Sequence, residues 1–213
     1  MAAKTIMNRY LEGLPCPFFT TIGNHEKGTM YAAANTDVDT FLQTELYAMY
    51  TKQAINSSAR IVAEPGKSYY YADLNGFRVI CMFTNDHEPY AATLSADQLT
   101  WFTTKALNTT LPVLLLAHIP MIPDVPHSGA YSDTYGTAIT ALETFKNNGG
   151  TVIACIYGHT HTQWSQKVNG IWHITCTCTE PQFKTAEVFM IDPTTYNITT
   201  IGLGDAQSRT FAH

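Results

Sequence analysis

Asn24 and His25 stand side by side in "FFTTIGNHEKG", residues 18 to 28, and His159 and His161 stand two apart in "ACIYGHTHTQW", residues 154 to 164. A fifth residue of this kind, His118, closes the run "PVLLLAH". Each group follows an apolar stretch that reads as a buried strand. Neutral imidazole is a strong ligand for Mn, Fe, Zn or Ni ions, and the carbonyl oxygen of Asn24 suits the same ions without adding charge. In an α/β sheet the carboxyl ends of parallel strands converge on one edge, so three such turns would open onto one place. The chemistry expected there is the binding of divalent cations. If residues 159 to 161 are extended, both rings fall on one side of the chain. Gly23 and Gly158, having no Cβ, would let the backbone turn tightly beneath the ions.

The elements that must carry these residues alternate along most of the chain. Ile6, Tyr10 and Leu11 have helical spacing, with Gly13 and Pro15 as stop signals, and "PFFTTIG" then reads as a short buried strand. A second amphipathic helix spans 37 to 55, and "SYYYADL" and "FRVICMFT" form a hairpin about Asn75-Gly76. "SADQLTWFTTKAL" is a helix opened by Ser95 as N-cap with Gln98 three residues on, the capping-box pattern. "PVLLLAH" and "TVIACIYGH" are strands buried on both faces, with a helix across roughly 135 to 147 between them. The long loop 119 to 136 either shapes a pocket beside His118 or merely connects. Four short strands finish the chain: "TQWSQKV", "IWHITCT", "AEVFMID" and "YNITTIGL".

Composition removes several alternatives. The 213 residues suit one domain with a sizeable core, at 45% hydrophobic and 14% charged. A net charge of -5 provides no bulk surface for nucleic acid. Five cysteines, mostly within apolar runs, read as reduced core thiols; Cys176 and Cys178 could share a strand face, but no second pair with structural-zinc spacing accompanies them. The longest aliphatic run, "VLLLA", is too short for a bilayer and no leader opens the chain, so no membrane partner and a cytoplasmic location are expected. His87 and His127 lie in loops that could line a pocket, whereas His173 alternates with apolar neighbours as a structural residue. Tyr135 and Trp164 could stack on a planar group or simply pack.

Taken in order, "GNHE", a histidine ending an aliphatic strand, and "GHTH" resemble the later three motifs of the calcineurin-like metallophosphoesterases. The "SADQLTWFTTKAL" helix leading into "PVLLLAHIPMIP" resembles that family's Gln-Leu-x-Trp helix, so the likeness covers nearly the whole chain. It implies an α/β fold, a layered αββα sandwich of two mixed sheets. It also implies hydrolysis of a phosphorylated small molecule or a phosphodiester by a water activated between two metal ions. Asn24, His118 and His159 resemble ligands of one ion and His161 a ligand of the other. His25 resembles the catalytic histidine that contacts phosphate and protonates the leaving oxygen, while Glu26 resembles an anchor of the turn.

The resemblance further implies D-x-H and G-D-x-x-D motifs ahead of "GNHE", and neither occurs in the 22 residues before Gly23. The expectation is therefore a single domain over 1–213, N-terminally truncated, with the first βαβ portion missing and an incomplete binuclear site. Its activity should be impaired. Strand edges left open by the missing portion should be covered by a second copy or by a complementing N-terminal segment. The alternative is a noncatalytic protein whose remnant metal or anion pocket serves structure or partner binding. A metallo-β-lactamase-like hydrolase also uses H-x-H, but no Asp-His follows "GHTH" and "GNHE" would go unexplained.

Overall fold

Parallel strands with a helix between them dominate the middle of the chain. The computed structural model describes residues 16–27, 43–85, 93–128, 132–177 and 185–213. A seven-stranded mixed sheet contains β1 (Ile61–Ala63), β2 (Tyr70–Leu74), β3 (Phe77–Cys81), β4 (Val113–Ala117), β5 (Val152–Tyr157), β6 (Trp164–Val168) and β7 (Ile171–Thr175), in the order β1-β2-β3-β4-β5-β7-β6. A second sheet has β8 (Ala186–Ile191), β9 (Ile198–Leu203) and β10 (Thr210–Phe211), in the order β10-β9-β8. Strand β4, the "VLLLA" run, is central and parallel to both neighbours, which is why it tolerates no polar position. Asn75 and Gly76, at φ 50° and 84°, turn β2 into β3, and Asn169 and Gly170, at 48° and 76°, turn β6 into β7. Both are two-residue turns of the left-handed kind that Asn-Gly favours.

Among the described residues, four helical elements accompany the sheets. They are the single turn α1 (Asn24–Lys27); α2, running through Gln43–Leu46, the π-helical Tyr47–Thr51 and Lys52–Ser57; α3, Ala96–Trp101 continued by the π-helical Phe102–Ala106; and α4 (Asp133–Asn147). Trp101, Phe102, Tyr135 and Leu142 from α3 and α4 close the main core over Ile80, Leu115, Cys155 and Tyr157 of one sheet face. On the other face, Ile198 and Phe211 of the second sheet pack on Ile153, Ala154 and Ile174. Two layers of strand are thus present, with α3 and α4 outside the larger one; the smaller sheet is antiparallel in both its pairings rather than mixed, and among the described residues its outward side chains Val188, Met190, Ile201 and Leu203 are exposed rather than covered by a helix.

Several expectations shift. Residues 17 to 23 form no ladder among the described residues; instead the Tyr70 hydroxyl accepts from the Thr20 N–H at 2.7 Å and donates to its carbonyl at 3.0 Å. A side chain from β2 does there what a neighbouring strand would do. The expected helix over 37 to 55 begins, among the described residues, at Gln43 and runs to Ser57; the segment before Pro15 lies outside the described residues, as do His87 and Cys178. Helix α4 starts two residues earlier than expected, because Ser132 accepts from the Thr134 N–H as its N-cap. Strands β1 and β10 were not foreseen. Cys16 is exposed and so is no core thiol, while burial pushes the thiols of Cys81, Cys155 and Cys176 up to about 12, holding them neutral.

Ser95 does accept from the Gln98 N–H, which is the N-cap half of the capping box. The Gln98 carboxamide, fully buried, is committed to Phe83, accepting from its N–H and donating to its carbonyl, both at 2.9 Å. That reciprocal pair fixes the chain as it leaves β3. Loop 119 to 128 is no loose connection either, since Ile119, Met121, Ile122 and Val125 are all buried in the main core. Tyr135 donates its hydroxyl to the Thr84 carbonyl at 2.6 Å from a fully buried position and so packs rather than stacking on a ligand, while Trp164, half-buried, packs against the same core.

His173 is structural, as its setting in a strand suggests. It is 1% exposed, its Nδ1 lies 2.9 Å from the Tyr157 hydroxyl, and burial lowers its pKa to about 4. The unfolded chain then takes up this proton near the ordinary value of about 6.5, well before the folded one does. Stability from this group is present above that value and is lost as pH falls from it towards 4. Between pH 7 and 5 the loss should be about 2 kcal/mol. Chemical denaturation of His173→Gln, which keeps a partner for Tyr157, should show an acid limb shallower than wild type by that amount; coincident limbs would refute it.

Candidate metal centre

Three turns meet, two of them at the ends of strands. Chain leaving β4 places His118, chain leaving β5 places His159, and the turn α1 places Asn24. The Gly158 N–H donates to the His118 carbonyl at 3.0 Å, so the ladder between β4 and β5 continues one step and fixes the two histidine turns to each other. The Ile119 N–H donates to Thr84 Oγ1 at 3.1 Å, holding the next residue after His118 in place. At α1 the Glu26 carboxylate accepts from the Gly23 N–H at 2.9 Å, closing the turn that presents Asn24 and His25. Glu26 is an anchor, as expected.

The donor atoms converge closely. Asn24 Oδ1 lies 2.9 Å from His118 Nε2 and 3.2 Å from His159 Nδ1, and the two imidazole nitrogens are 3.3 Å apart. Neighbouring ligands around one ion with bonds of about 2.0–2.2 Å stand about 3 Å from each other. The triangle therefore fits one face of a coordination shell. Asn24 is 7% exposed, which leaves its carbonyl oxygen little alternative to these partners. Among the described residues no three His, Cys, Asp or Glu side chains gather as a metal cluster; the third donor of the triangle is an amide.

The electrostatics suit a cation ligand. Burial, followed by the charges that His159, His25 and His161 would bring, lowers the pKa of His118 to about 3. Burial also lowers that of His159, which the backbone of Ser128 opposes by hydrogen bonding, while His161 and His25 reinforce it. Both rings stay neutral at ordinary pH with lone pairs available. His25 and His161, whose side chains are exposed, lie near enough to act on both rings. All five residues singled out from the sequence are thus brought to one sheet edge, three in contact and two flanking them. His127 is exposed on the loop 119 to 128.

The turn departs from expectation in two respects. Residues 159 to 161 are not extended: His159 and His161 have φ of 67° and 56°, left-handed values that cost a non-glycine residue of order 1 kcal/mol each. The segment turns, leaving His159 half-buried and His161 exposed. Gly158 is not needed for space, since a Cβ there would stand 3.5 Å from the His118 ring, an ordinary contact. Gly23 is needed, because its Cβ would stand 2.7 Å from the same ring. Gln163 and Ser128, which touch the histidine turn and its ring, carried no sequence signal; Gln98 carried one only through its place in the helix before β4.

The profile of the calcineurin-like phosphoesterases matches residues 2–163, most of the chain and all of the converging residues. The chain belongs to that family. Family membership implies the use of divalent metal and phosphate esters as the class of substrate. The fold agrees with that of a dimetal phosphatase from Danio rerio, at a TM-score of 0.60 and 15% identity over 90% of this chain and 71% of that one. No curated protein sequence matches the chain. Among the described residues no helix is long and apolar enough to cross a membrane.

Proposed function

We propose that this chain is a metal-dependent phosphoesterase in which Asn24, His118 and His159 hold one divalent ion, His161 serves a second, and His25 works on the substrate. The observation that carries the proposal is the donor triangle of Asn24, His118 and His159, with sides of 2.9 to 3.3 Å. When bound, such ions polarise the phosphoryl group and lower the pKa of an attacking water. The residues themselves do the rest. His25, exposed on α1 beside the half-buried rings of His118 and His159, would contact a phosphoryl oxygen and hand a proton to the leaving oxygen. His118 and His159, kept neutral, present lone pairs without first losing protons.

None of the donors identified is anionic, so metal affinity and turnover should be modest and sensitive to added metal. The test is hydrolysis of 4-nitrophenyl phosphate and of bis(4-nitrophenyl) phosphate with Mn²⁺ titrated in, alongside His25→Ala. Slow turnover that needs Mn²⁺ and disappears in His25→Ala is expected. Metal binding with no turnover of either ester would favour the noncatalytic alternative. Absence of both would end the proposal.

A further inference from the structure

The left-handed turn that carries His159 and His161 needs something to hold it, and the bonds around it show what does. Thr160 is buried at 3% exposure, its N–H donates to the Gly158 carbonyl at 2.8 Å, and Thr175 Oγ1 donates to the Thr162 carbonyl at 2.6 Å. Those contacts secure the inner side. On the outer side Gln163 makes a reciprocal pair with the backbone of the loop after β9. Its Nε2 donates to the Gln207 carbonyl at 2.8 Å and its Oε1 accepts from the Gln207 N–H at 2.7 Å. Two residues further along that loop, Arg209 donates to the Trp164 carbonyl at 3.2 Å and the Thr175 carbonyl at 3.1 Å. Its guanidinium is held by Glu187 at 2.7 Å, and the Glu187 side chain is 2% exposed. The loop that Gln163 grips is therefore itself anchored to both sheets.

We infer that Gln163 is a positioning residue, whose carboxamide pins the His159–His161 turn to the anchored loop at Gln207 and thereby sets where the two rings point. A single amide facing the N–H and the C=O of one residue satisfies a donor and an acceptor together, so it fixes distance and orientation at once. Both histidines lie within four residues before it, in backbone conformations they would not adopt unaided. The consequence for metal rests on the phosphoesterase reading; the geometric role of Gln163 does not. Outer partners that orient ligands typically matter by about 10- to 100-fold in metal affinity, and with the inner side of the turn intact the lower end is expected.

The experiment uses the full chain labelled with ¹⁵N-histidine, as wild type, Gln163→Leu and Gln163→Glu. In metal-free protein at one pH, the ring resonances of His159 and His161 should move in Gln163→Leu while that of His173 stays. Gln163→Glu keeps the acceptor for the Gln207 N–H and should move them less; it also carries the comparison should Gln163→Leu fail to fold. Mn²⁺ affinity by calorimetry should fall about tenfold in Gln163→Leu, with the thermal midpoint close to wild type. Wild-type protein that binds no Mn²⁺ would defeat the phosphoesterase reading alone, since the ring spectra still decide the role of Gln163. Rings of His159 and His161 at their wild-type positions in both variants would overturn the inference.

Discussion

His118→Ala should abolish measurable Mn²⁺ binding, a loss of more than about a hundredfold, since it removes a ligand and not merely an outer partner. The ring is the hub of the site: its Nε2 lies 2.9 Å from Asn24 Oδ1 and 3.3 Å from His159 Nδ1. With its pKa near 3, protons hardly compete for that nitrogen at any pH where the protein would be assayed. Deleting it leaves an amide oxygen and one imidazole, too few neutral donors to hold a dication against water. Asn24→Asp should act in the opposite direction, tightening Mn²⁺ binding, because it places an anionic oxygen where a neutral one stands. Calorimetry on the three proteins, with circular dichroism to confirm folding, makes the comparison. Wild-type affinity in folded His118→Ala would sink the assignment of this triangle to metal.

What could be read from the sequence was what depends on local pattern. The strands β4 and β5 announce themselves as unbroken apolar runs, the hairpin turns as Asn-Gly, and the site as three histidine-bearing turns that each follow an apolar run. What could not be read depends on partners far along the chain. "PFFTTIG" has strand composition, yet whether it joins a ladder is decided by what lies beside it, and there the Tyr70 hydroxyl takes both of Thr20's backbone groups. The H-x-H spacing shows that two rings are near each other but not that the backbone is left-handed at both. Which glycine is sterically required is likewise invisible: Gly23 and Gly158 both precede site residues, and only the position of the His118 ring separates them. The same holds for Gln163, whose partner stands 44 residues further on.

That separation allows a sharp comparison. Gly23→Ala should weaken Mn²⁺ binding by one to two orders of magnitude and lower stability by about 1 to 3 kcal/mol, the usual cost of an overpacked site. The added Cβ would meet His118 Cε1 and Nε2 at 2.7 Å and Glu26 Oε2 at 2.8 Å, so both the ligand and the anchor of α1 must shift. Neither shifts cheaply. The ring is packed against Asn24 and His159, and the Glu26 carboxylate is already bonded to the Gly23 N–H. Gly158→Ala should change stability by no more than about 0.5 kcal/mol and leave metal affinity near wild type, because its Cβ has ordinary room and Gly158 is not among the positive-φ residues. If the damage comes from the clash with the ring, adding His118→Ala to Gly23→Ala should restore part of the lost stability. The two changes would then couple in a double-mutant cycle, as residues in direct contact do. Equal effects from the two glycines, or strict additivity of Gly23→Ala and His118→Ala, would show that Gly23 serves the turn for some reason other than making room for the ligand.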